Sequence, residues 1–423
     1  MQQFFYNIFL FVFELGIRIF AQWNLKARQW VVGRKHVFEE LEARLKSDGH
    51  PSIIWIHSAS LGEFEQGRPI LESLRETYPS HKILVTFFSA SGYETRKNYP
   101  LADYIYYLPH DSPINAPRFI ELVKPKIVIW IKYDYWYYYL TTLKQKNIPV
   151  LLVAAIFRKE MAFFKWYGKL YRSMLYCFHQ IFIQNPESAA MLQTIGINDR
   201  VTVAGDTRFD RVVAVAESFT PIPAIADFCG NHPVVVAGST WPADEEALDH
   251  FATNHPLVRF VVAPHDVTPE RLQEVEVLFP KIIRFSVWEK LSAEEKAGVT
   301  ANTLLIDNVG MLSRLYRYAS IAYVGGGFEN EGIHNILEAA VYGIPVVFGP
   351  EYDWFLEAQD LIDRNAAFSI ESSIELEEQL KYLLDNQEAC KESGRSALEY
   401  VMEKRGATKL IVDYIQENRL LIN

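Results

Sequence analysis

Ile53-Ile54-Trp55-Ile56-His57-Ser58-Ala59-Ser60-Leu61-Gly62-Glu63 is the stretch on which the reading of the chain turns. An unbroken apolar run gives way to a turn of small residues, and a helical pattern follows over 63–77. Apolar runs without strict alternation mark strands covered on both faces, the habit of parallel sheets with crossover helices. The same unit recurs outward from this point. Apolar runs rich in β-branched residues stand at 83–87, 127–131, 150–153 and 201–204, with a helical pattern at 116–124. The alternation pauses over 218–233, where Pro221, Pro223, Gly230, Asn231 and Pro233 gather, and restarts at 234–237, 258–262, 304–306, 321–324 and 346–348. The pattern predicts two doubly wound α/β domains joined by a linker at 218–233. In such sheets ligands bind beyond the carboxyl ends of the strands, so the expected site is a cleft faced by loops of both halves.

Bulk properties narrow the function. The 423 residues suit two domains, and 49% hydrophobic with 22% charged residues is ordinary for a folded protein. The net charge of −10 argues against a nucleic-acid partner. Cys177, Cys229 and Cys390 are widely spaced, with no zinc or disulfide pattern, and read as apolar thiols in a reducing compartment.

Charge is unevenly spread. Residues 1–35 hold Arg18, Lys26, Arg28, Arg34 and Lys35 against Glu14 alone. They also hold a nearly continuous apolar and aromatic run over 4–13. A spanning helix needs about 20 predominantly apolar residues. This run reaches that length only by including Glu14 and Arg18, so an interfacial helix on anionic lipid fits better. A true span and a buried structural helix are the other readings. No signal-peptide pattern is present.

Four loops at strand ends carry the candidate chemistry. In the first, small residues expose amides at a helix start, which suits an anion. The spacing of Gly62 and Gly67 resembles a phosphate loop, but Arg68-Pro69 stands where Lys-Ser/Thr is required, which excludes a nucleotide hydrolase. Glu63 is either a first-turn acid complementing the helix dipole or a general base for an acceptor hydroxyl. The second loop reads Gly325-Gly326-Gly327-Phe328-Glu329-Asn330-Glu331-Gly332-Ile333-His334-Asn335-Ile336-Leu337-Glu338. Its glycines let a phosphate approach the backbone, and Asn335 and Glu338 are expected on one helical face, where Glu338 can accept ribose hydroxyls. A tight turn with a solvated Glu is the plainer reading. The third and fourth loops are Gly238-Ser239-Thr240-Trp241 and Ala263-Pro264-His265-Asp266. The sequence has no Asp-x-Asp, the metal-chelating motif of one class of sugar-nucleotide transferases, so no metal is expected. Between 157 and 172, Arg158, Lys159, Lys165, Lys169 and Arg172 interleave with Phe157, Phe163, Phe164, Trp166, Tyr167 and Tyr171. The spacing predicts a helix with rings on one face and lysines on another, either lipid-facing or an ordinary core helix with a solvated side.

Ser58-Ala59-Ser60-Leu61-Gly62-Glu63 resembles the Ser-x-Gly-Glu motif of the Kdo (3-deoxy-D-manno-octulosonic acid) transferases. So do Ala204-Gly205-Asp206-Thr207-Arg208-Phe209-Asp210, Asp307-Asn308-Val309-Gly310-Met311-Leu312, and His334-Asn335-Ile336-Leu337-Glu338 with Gly343-Ile344-Pro345-Val346. The matches run in order over about residues 50 to 365. The resemblance implies a GT-B fold, with two Rossmann-like domains facing across a cleft. A membrane-associated segment would occupy 1–35, an acceptor-binding domain 36–217, a nucleotide-sugar-binding domain 234–400 and a helical segment 401–423. It further implies an inverting enzyme on the cytoplasmic face of the inner membrane. The donor would be CMP-Kdo and the acceptor a tetraacylated lipid A precursor, lipid IVA, with no cofactor. By the same analogy Glu63 is the base, and Ser239, His265, Gly326, Gly327, Asn335 and Glu338 hold the nucleotide. Arg158, Lys165, Trp166 and Lys169 are the expected acceptor and membrane contacts. Many relatives carry Pro-Arg-His-Pro-Glu-Arg where this chain has Pro264-His265-Asp266-Val267-Thr268-Pro269-Glu270-Arg271, and Glu-x-Glu-x-Trp-Pro where it has Lys132-Tyr133-Asp134-Tyr135-Trp136-Tyr137. Alternatives are another GT-B enzyme using a UDP-sugar, such as a hexosaminyl transferase or a sugar-nucleotide epimerase, and a catalytically silent membrane scaffold.

Overall fold

The computed structural model describes residues 2–330 and 332–422; Met1, Glu331 of the glycine loop and Asn423 lie outside them. The chain forms two compact units, residues 1–211 with 405–423, and residues 212–404.

The first unit is built on a seven-stranded sheet of β1 (Ile53–Ser58), β2 (Lys82–Phe87), β3 (Tyr104–Tyr107), β4 (Ile127–Ile131), β5 (Val150–Ala155), β6 (Gln180–Ile183) and β7 (Val201–Val203). Its order is β3-β2-β1-β4-β5-β6-β7, and every pairing is parallel. The second unit has β8 (Val234–Thr240), β9 (Arg259–Pro264), β10 (Ile282–Arg284), β11 (Thr303–Leu305), β12 (Ile321–Val324), β13 (Val346–Phe348) and β14 (Ala367–Ser369). Their order is β10-β11-β9-β8-β12-β13-β14, again parallel throughout. Both sheets reverse strand order beside their first strand, where doubly wound sheets bind ligands.

The unbroken apolar runs are the strands, as expected. Trp55, Ile129 and Leu152 in the first sheet and Val235, Val262 and Tyr323 in the second are fully buried. Four strands escape the pattern: β3, β6, β10 and β14. Three of these are sheet edges, where short, half-covered strands lack the long apolar signature.

The expected linker is not one. Residues 223–229 form the helix Pro223–Cys229 with Ile225 and Phe228 buried, and Ile222 N–H donates to Tyr318 Oη at 2.6 Å. Pro223 starts this helix and Gly230, at φ 51°, ends it, so the breakers punctuate a packed helix. The chain passes from the first unit to the second within the helix Thr207–Glu217. The expected C-terminal segment is also divided. The helix Gln387–Lys404 stays with the second unit, while Ala407–Glu417 packs Ile411 and Ile415 against Ile54, Ile56 and Ile70 of the first. Asp210 fastens this return by accepting from Gly406 N–H at 2.6 Å and Thr408 N–H at 2.7 Å.

The segment at 157–172 is not a single helix. Residues 162–164 make a 3₁₀ turn, Lys165 is extended, and a helix runs only over Lys169–Leu175. Arg172 holds the kink by donating to Phe163 O and Lys165 O, and a Cβ on Gly168 would lie 2.0 Å from Ala162 O. The rings therefore separate: Phe157 and Phe163 enter the core, whereas Trp166 is 92% exposed.

Ile415→Ala is expected to destabilise the first unit by about 2–5 kcal/mol, the usual cost of such a cavity. Denaturant titration of the full chain, with near-ultraviolet and fluorescence probes, should show an earlier unfolding transition. Unchanged transitions would contradict the placement of this helix in the first core.

Candidate functional site

In the first unit the loops that follow β1 and β4 meet at Glu63. Ser60 caps the helix Leu61–Thr77, accepting from Glu63 N–H, and Glu63 Oε2 folds back to accept from Ala59 N–H at 2.6 Å. The helix-end reading of this residue is thus real. It does not exhaust the carboxyl. Burial pushes Glu63 up to about 7 and the Asp134 carboxylate adds to the rise, while Ala59 N–H, Lys132 and Tyr133 N–H oppose it.

Asp134 is itself fixed. It takes His57 Nε2 at 3.1 Å and Trp136 Nε1 at 3.1 Å, and the other nitrogen of the fully buried His57 ring meets Thr86 Oγ1 at 2.9 Å. The loop after β4 begins at Lys132, which holds the left-handed φ of 57° that a non-glycine residue adopts only under restraint. Arg158 joins this group: burial raises the Tyr133 phenol, and Arg158 opposes the rise while Glu63 adds to it. Among the described residues, Ser58 Oγ, Tyr135 Oη and Gln184 Nε2 are buried without a hydrogen-bond partner. These follow or end β1, β4 and β6. Orphaned buried polar atoms are rare, and these three stand where strands of the sheet end.

Lys165, Trp166 and Lys169 lie apart from this group, beside the N-terminal helix Gln2–Phe20. The Gln2 side chain donates to Tyr167 O at 2.8 Å and accepts from Leu170 N–H at 2.8 Å.

In the second unit, Asp244 braces the glycine loop. Buried on the helix Pro242–Asn254, it accepts from Tyr323 Oη at 2.7 Å, Trp241 N–H at 2.8 Å and Gly326 N–H at 2.9 Å. Burial raises its carboxyl, and the three donors oppose that. Gly326 has φ 94°, and a Cβ on Gly327 would lie 2.6 Å from the Gly349 backbone, so neither position accepts a side chain without rearrangement. Ser239, at φ 54°, stands one residue before the end of the strand β8. The His265 ring stacks between Trp241 and His334, with centroids 4.8 and 4.7 Å away. Burial, then His265, lowers His334 to about 4, leaving it a neutral acceptor for Trp241 Nε1 at 3.2 Å. Asn335 donates to Glu338 Oε1 at 3.2 Å, although the helix there is only Leu337–Ala340 and Asn335 precedes it. The structure therefore gathers Ser239, His265, Gly326 and Gly327 around Trp241 and Asp244, with Asn335 and Glu338 paired on the following turn.

Comparison with known proteins follows the same geometry. The 3-deoxy-D-manno-octulosonic-acid transferase (Kdo transferase) family profile matches residues 34–211. The 3-deoxy-D-manno-octulosonic acid transferase of Haemophilus influenzae is 28% identical over 378 residues, 86% of this chain and 87% of its own length. That of Aquifex aeolicus is 28% identical over 338 residues, covering 78% and 86%. The chain is similar to the Kdo transferases over most of its length. It is a glycosyltransferase. Its fold is GT-B, shared with the UDP-GlcNAc 2-epimerase of Neisseria meningitidis at a TM-score of 0.61, 17% identity and 86% and 100% coverage. MurG of Acinetobacter baumannii aligns at 0.52, with 15% identity and 87% and 100% coverage.

Sequence reasoning missed the partners more than the centres. Asp134 and His57 lie 77 residues apart, and their pairing across β1 and β4 is visible only in three dimensions. Asp244 is one of a run of acids, and nothing in that run distinguishes the brace from its neighbours.

A base works only when deprotonated, so activity through Glu63 should rise with pH across about 7. Asp134→Asn removes the neighbouring negative charge and should move this acid limb lower. A limb that stays in place in the pH profile of kcat/KM would detach Asp134 from Glu63.

Proposed function

We propose that the chain moves Kdo from CMP-Kdo to a hydroxyl of a lipid A precursor, lipid IVA, with inversion and without a metal, in lipopolysaccharide synthesis. The observation that carries the reading is the Glu63 carboxyl, raised to about 7 at the mouth of β1 in a chain similar to the Kdo transferases. A carboxylate with that affinity takes a proton from an alcohol as the oxygen attacks. The acceptor oxygen bonds to the anomeric carbon of Kdo, the bond from that carbon to the CMP phosphate oxygen breaks, and CMP departs with the electron pair. The proton on Glu63 then passes to solvent. One displacement gives inversion.

The second unit is the proposed donor site. Ser239, the amides at Gly326 and Gly327, and His265 would face the phosphate and base, with Asn335 and Glu338 toward the ribose. Stabilisation of the departing phosphate falls to these groups. Arg158, exposed beside Tyr133 and Glu63, is the proposed acceptor contact. The membrane reading rests on the N-terminal helix, which is long and apolar enough to cross a bilayer and leaves Phe4, Phe5, Phe9, Phe11 and Val12 exposed. Lys165, Trp166 and Lys169 border it. This surface would meet the cytoplasmic leaflet of the inner membrane.

Purified protein should release CMP from CMP-Kdo when lipid IVA is supplied, in EDTA as in its absence; a preference for a UDP-sugar, or a need for Mg²⁺, would overturn the donor or the metal-free assignment. Glu63→Gln should retain CMP affinity and lose about 10²–10⁴-fold in turnover. Near-normal turnover would remove Glu63 as the base.

Glu338→Ala should weaken CMP binding by about 1–3 kcal/mol, because ribose hydroxyls lose a charged acceptor. Calorimetry with CMP reads this directly, and unchanged affinity would move the ribose elsewhere.

A further inference from the structure

The N-terminal helix does more than expose apolar side chains. It is docked along one stripe, and the stripe is largely polar. Gln2 holds the 167–170 backbone. Asn7 Oδ1 accepts from Tyr138 Oη at 2.6 Å, and Glu14 lies 3.7 Å from His110. Tyr6 and Leu10 are buried in the core of the first unit. The opposite face carries the exposed phenylalanines, and the exposed Lys26 and Arg28 follow the helix.

Tyr6 reaches a particular place. Its hydroxyl donates to Asp111 Oδ2 at 2.6 Å and accepts from Tyr137 N–H at 3.1 Å. Asp111 accepts in turn from Tyr138 N–H and Tyr139 N–H, both at 3.1 Å. These are the first three amides of the helix Tyr137–Gln145, whose own N-cap residue, Trp136, supplies no side-chain bond. The first turn of a helix has amides without internal partners, and here they are satisfied by another helix's tyrosine and a buried aspartate. The residues immediately before that turn are the 132–136 loop, with Asp134 on His57 and beside Glu63. Trp136 also packs on Phe88 at 4.8 Å, and Phe88 on Phe13 of the N-terminal helix at 5.9 Å.

We propose that the Tyr6–Asp111 pair couples the seating of the N-terminal helix on an anionic lipid bilayer to the placement of the Asp134 loop beside Glu63. The bilayer is the occupant of the exposed face because that face is apolar and aromatic, its following residues are cationic, and the helix's one acid, Glu14, lies on the docked stripe and is paired with Arg18 at 2.6 Å. Tyr6 and Asp111 are positioning residues. A helix pressed against lipid keeps Tyr6 in its pocket; Tyr6 keeps the first turn at Tyr137 in register; the register sets where Asp134 stands. The inference rests on Glu63 being the base.

The test compares full-length wild type, Tyr6→Phe, Phe5→Ser with Phe9→Ser, and Glu63→Gln on vesicles of phosphatidylglycerol and phosphatidylethanolamine bearing lipid IVA. Vesicle partition, CMP affinity, kcat, both KM values and the pH profile are measured below the unfolding temperature of each variant. Tyr6→Phe should partition and bind CMP as wild type does, lose about 10–100-fold in kcat through misplacement of the loop, and shift the acid limb of its pH profile. The double serine variant should lose partition. A purely structural role for Tyr6 would lower thermal stability and leave kcat and the acid limb in place, which overturns the proposal. So would a Tyr6→Phe defect confined to partition and acceptor KM. If Glu63→Gln turns over normally while Tyr6→Phe is slow, the base lies elsewhere and the coupling stands. If Glu63→Gln is inactive and Tyr6→Phe is normal, the base stands and the coupling falls.

Discussion

A parallel sheet covered on both faces leaves polar chemistry almost nowhere to go except the ends of its strands. Backbone groups along the strands satisfy one another, and side chains on either face meet packed helices. β1 shows the constraint: all of its residues are buried, and the polar turn opens only after Ser58. The same rule puts Ser239 after the buried run of β8 and the glycine loop after β12. Lys132, Ala154 and Ser239 each take a left-handed φ near the end of a strand, at 57°, 56° and 54°. Turning a loop sharply out of a buried strand is costly for such residues, and the surrounding packing must hold them there.

What holds those loops is a repeated device, a half-buried or buried aspartate that gathers amides from segments far apart in sequence. Asp244 joins β8, β12 and the glycine loop. Asp111 joins the N-terminal helix to the turn at Tyr137, and Asp210 draws the C-terminal helix back to the first unit. A carboxylate can accept several bonds at once, so one side chain fixes several backbones. Removing it leaves each amide unpaired in a dry environment, at about 1–3 kcal/mol per group.

This device explains why the sequence was more informative about strands than about partners. Central strands announce themselves because two covered faces demand continuous apolar runs, as at 127–131 and 321–324. Edge strands such as Tyr104–Tyr107 and Ala367–Ser369 need only one covered face and look like loops. Glu63 was legible because strand, turn and helix stand next to one another in the chain, and the glycines because they follow a buried strand directly. The pair of Asp134 with His57 spans 77 residues, and Tyr6 with Asp111 spans 105. No local pattern encodes such distances. The breakers at 218–233 misled for a related reason: Pro and Gly bound helices as readily as they make linkers, and only the buried Ile225 and Phe228 separate the two cases.

The N-terminal helix turns on the same distinction between composition and partners. By length and apolarity alone, Gln2–Phe20 passes as a membrane span. To cross a bilayer as a separate segment it would surrender the bonds of Gln2, Tyr6 and Asn7 to the first unit. It would also carry the polar groups of Gln2, Tyr6 and Asn7 into hydrocarbon without those partners. Lying in the interface requires neither sacrifice. The docked stripe keeps its hydrogen bonds, and the phenylalanine face is the one left to reach the acyl chains. The polar stripe of the helix, rather than its apolar content, fixes how it docks on the first unit.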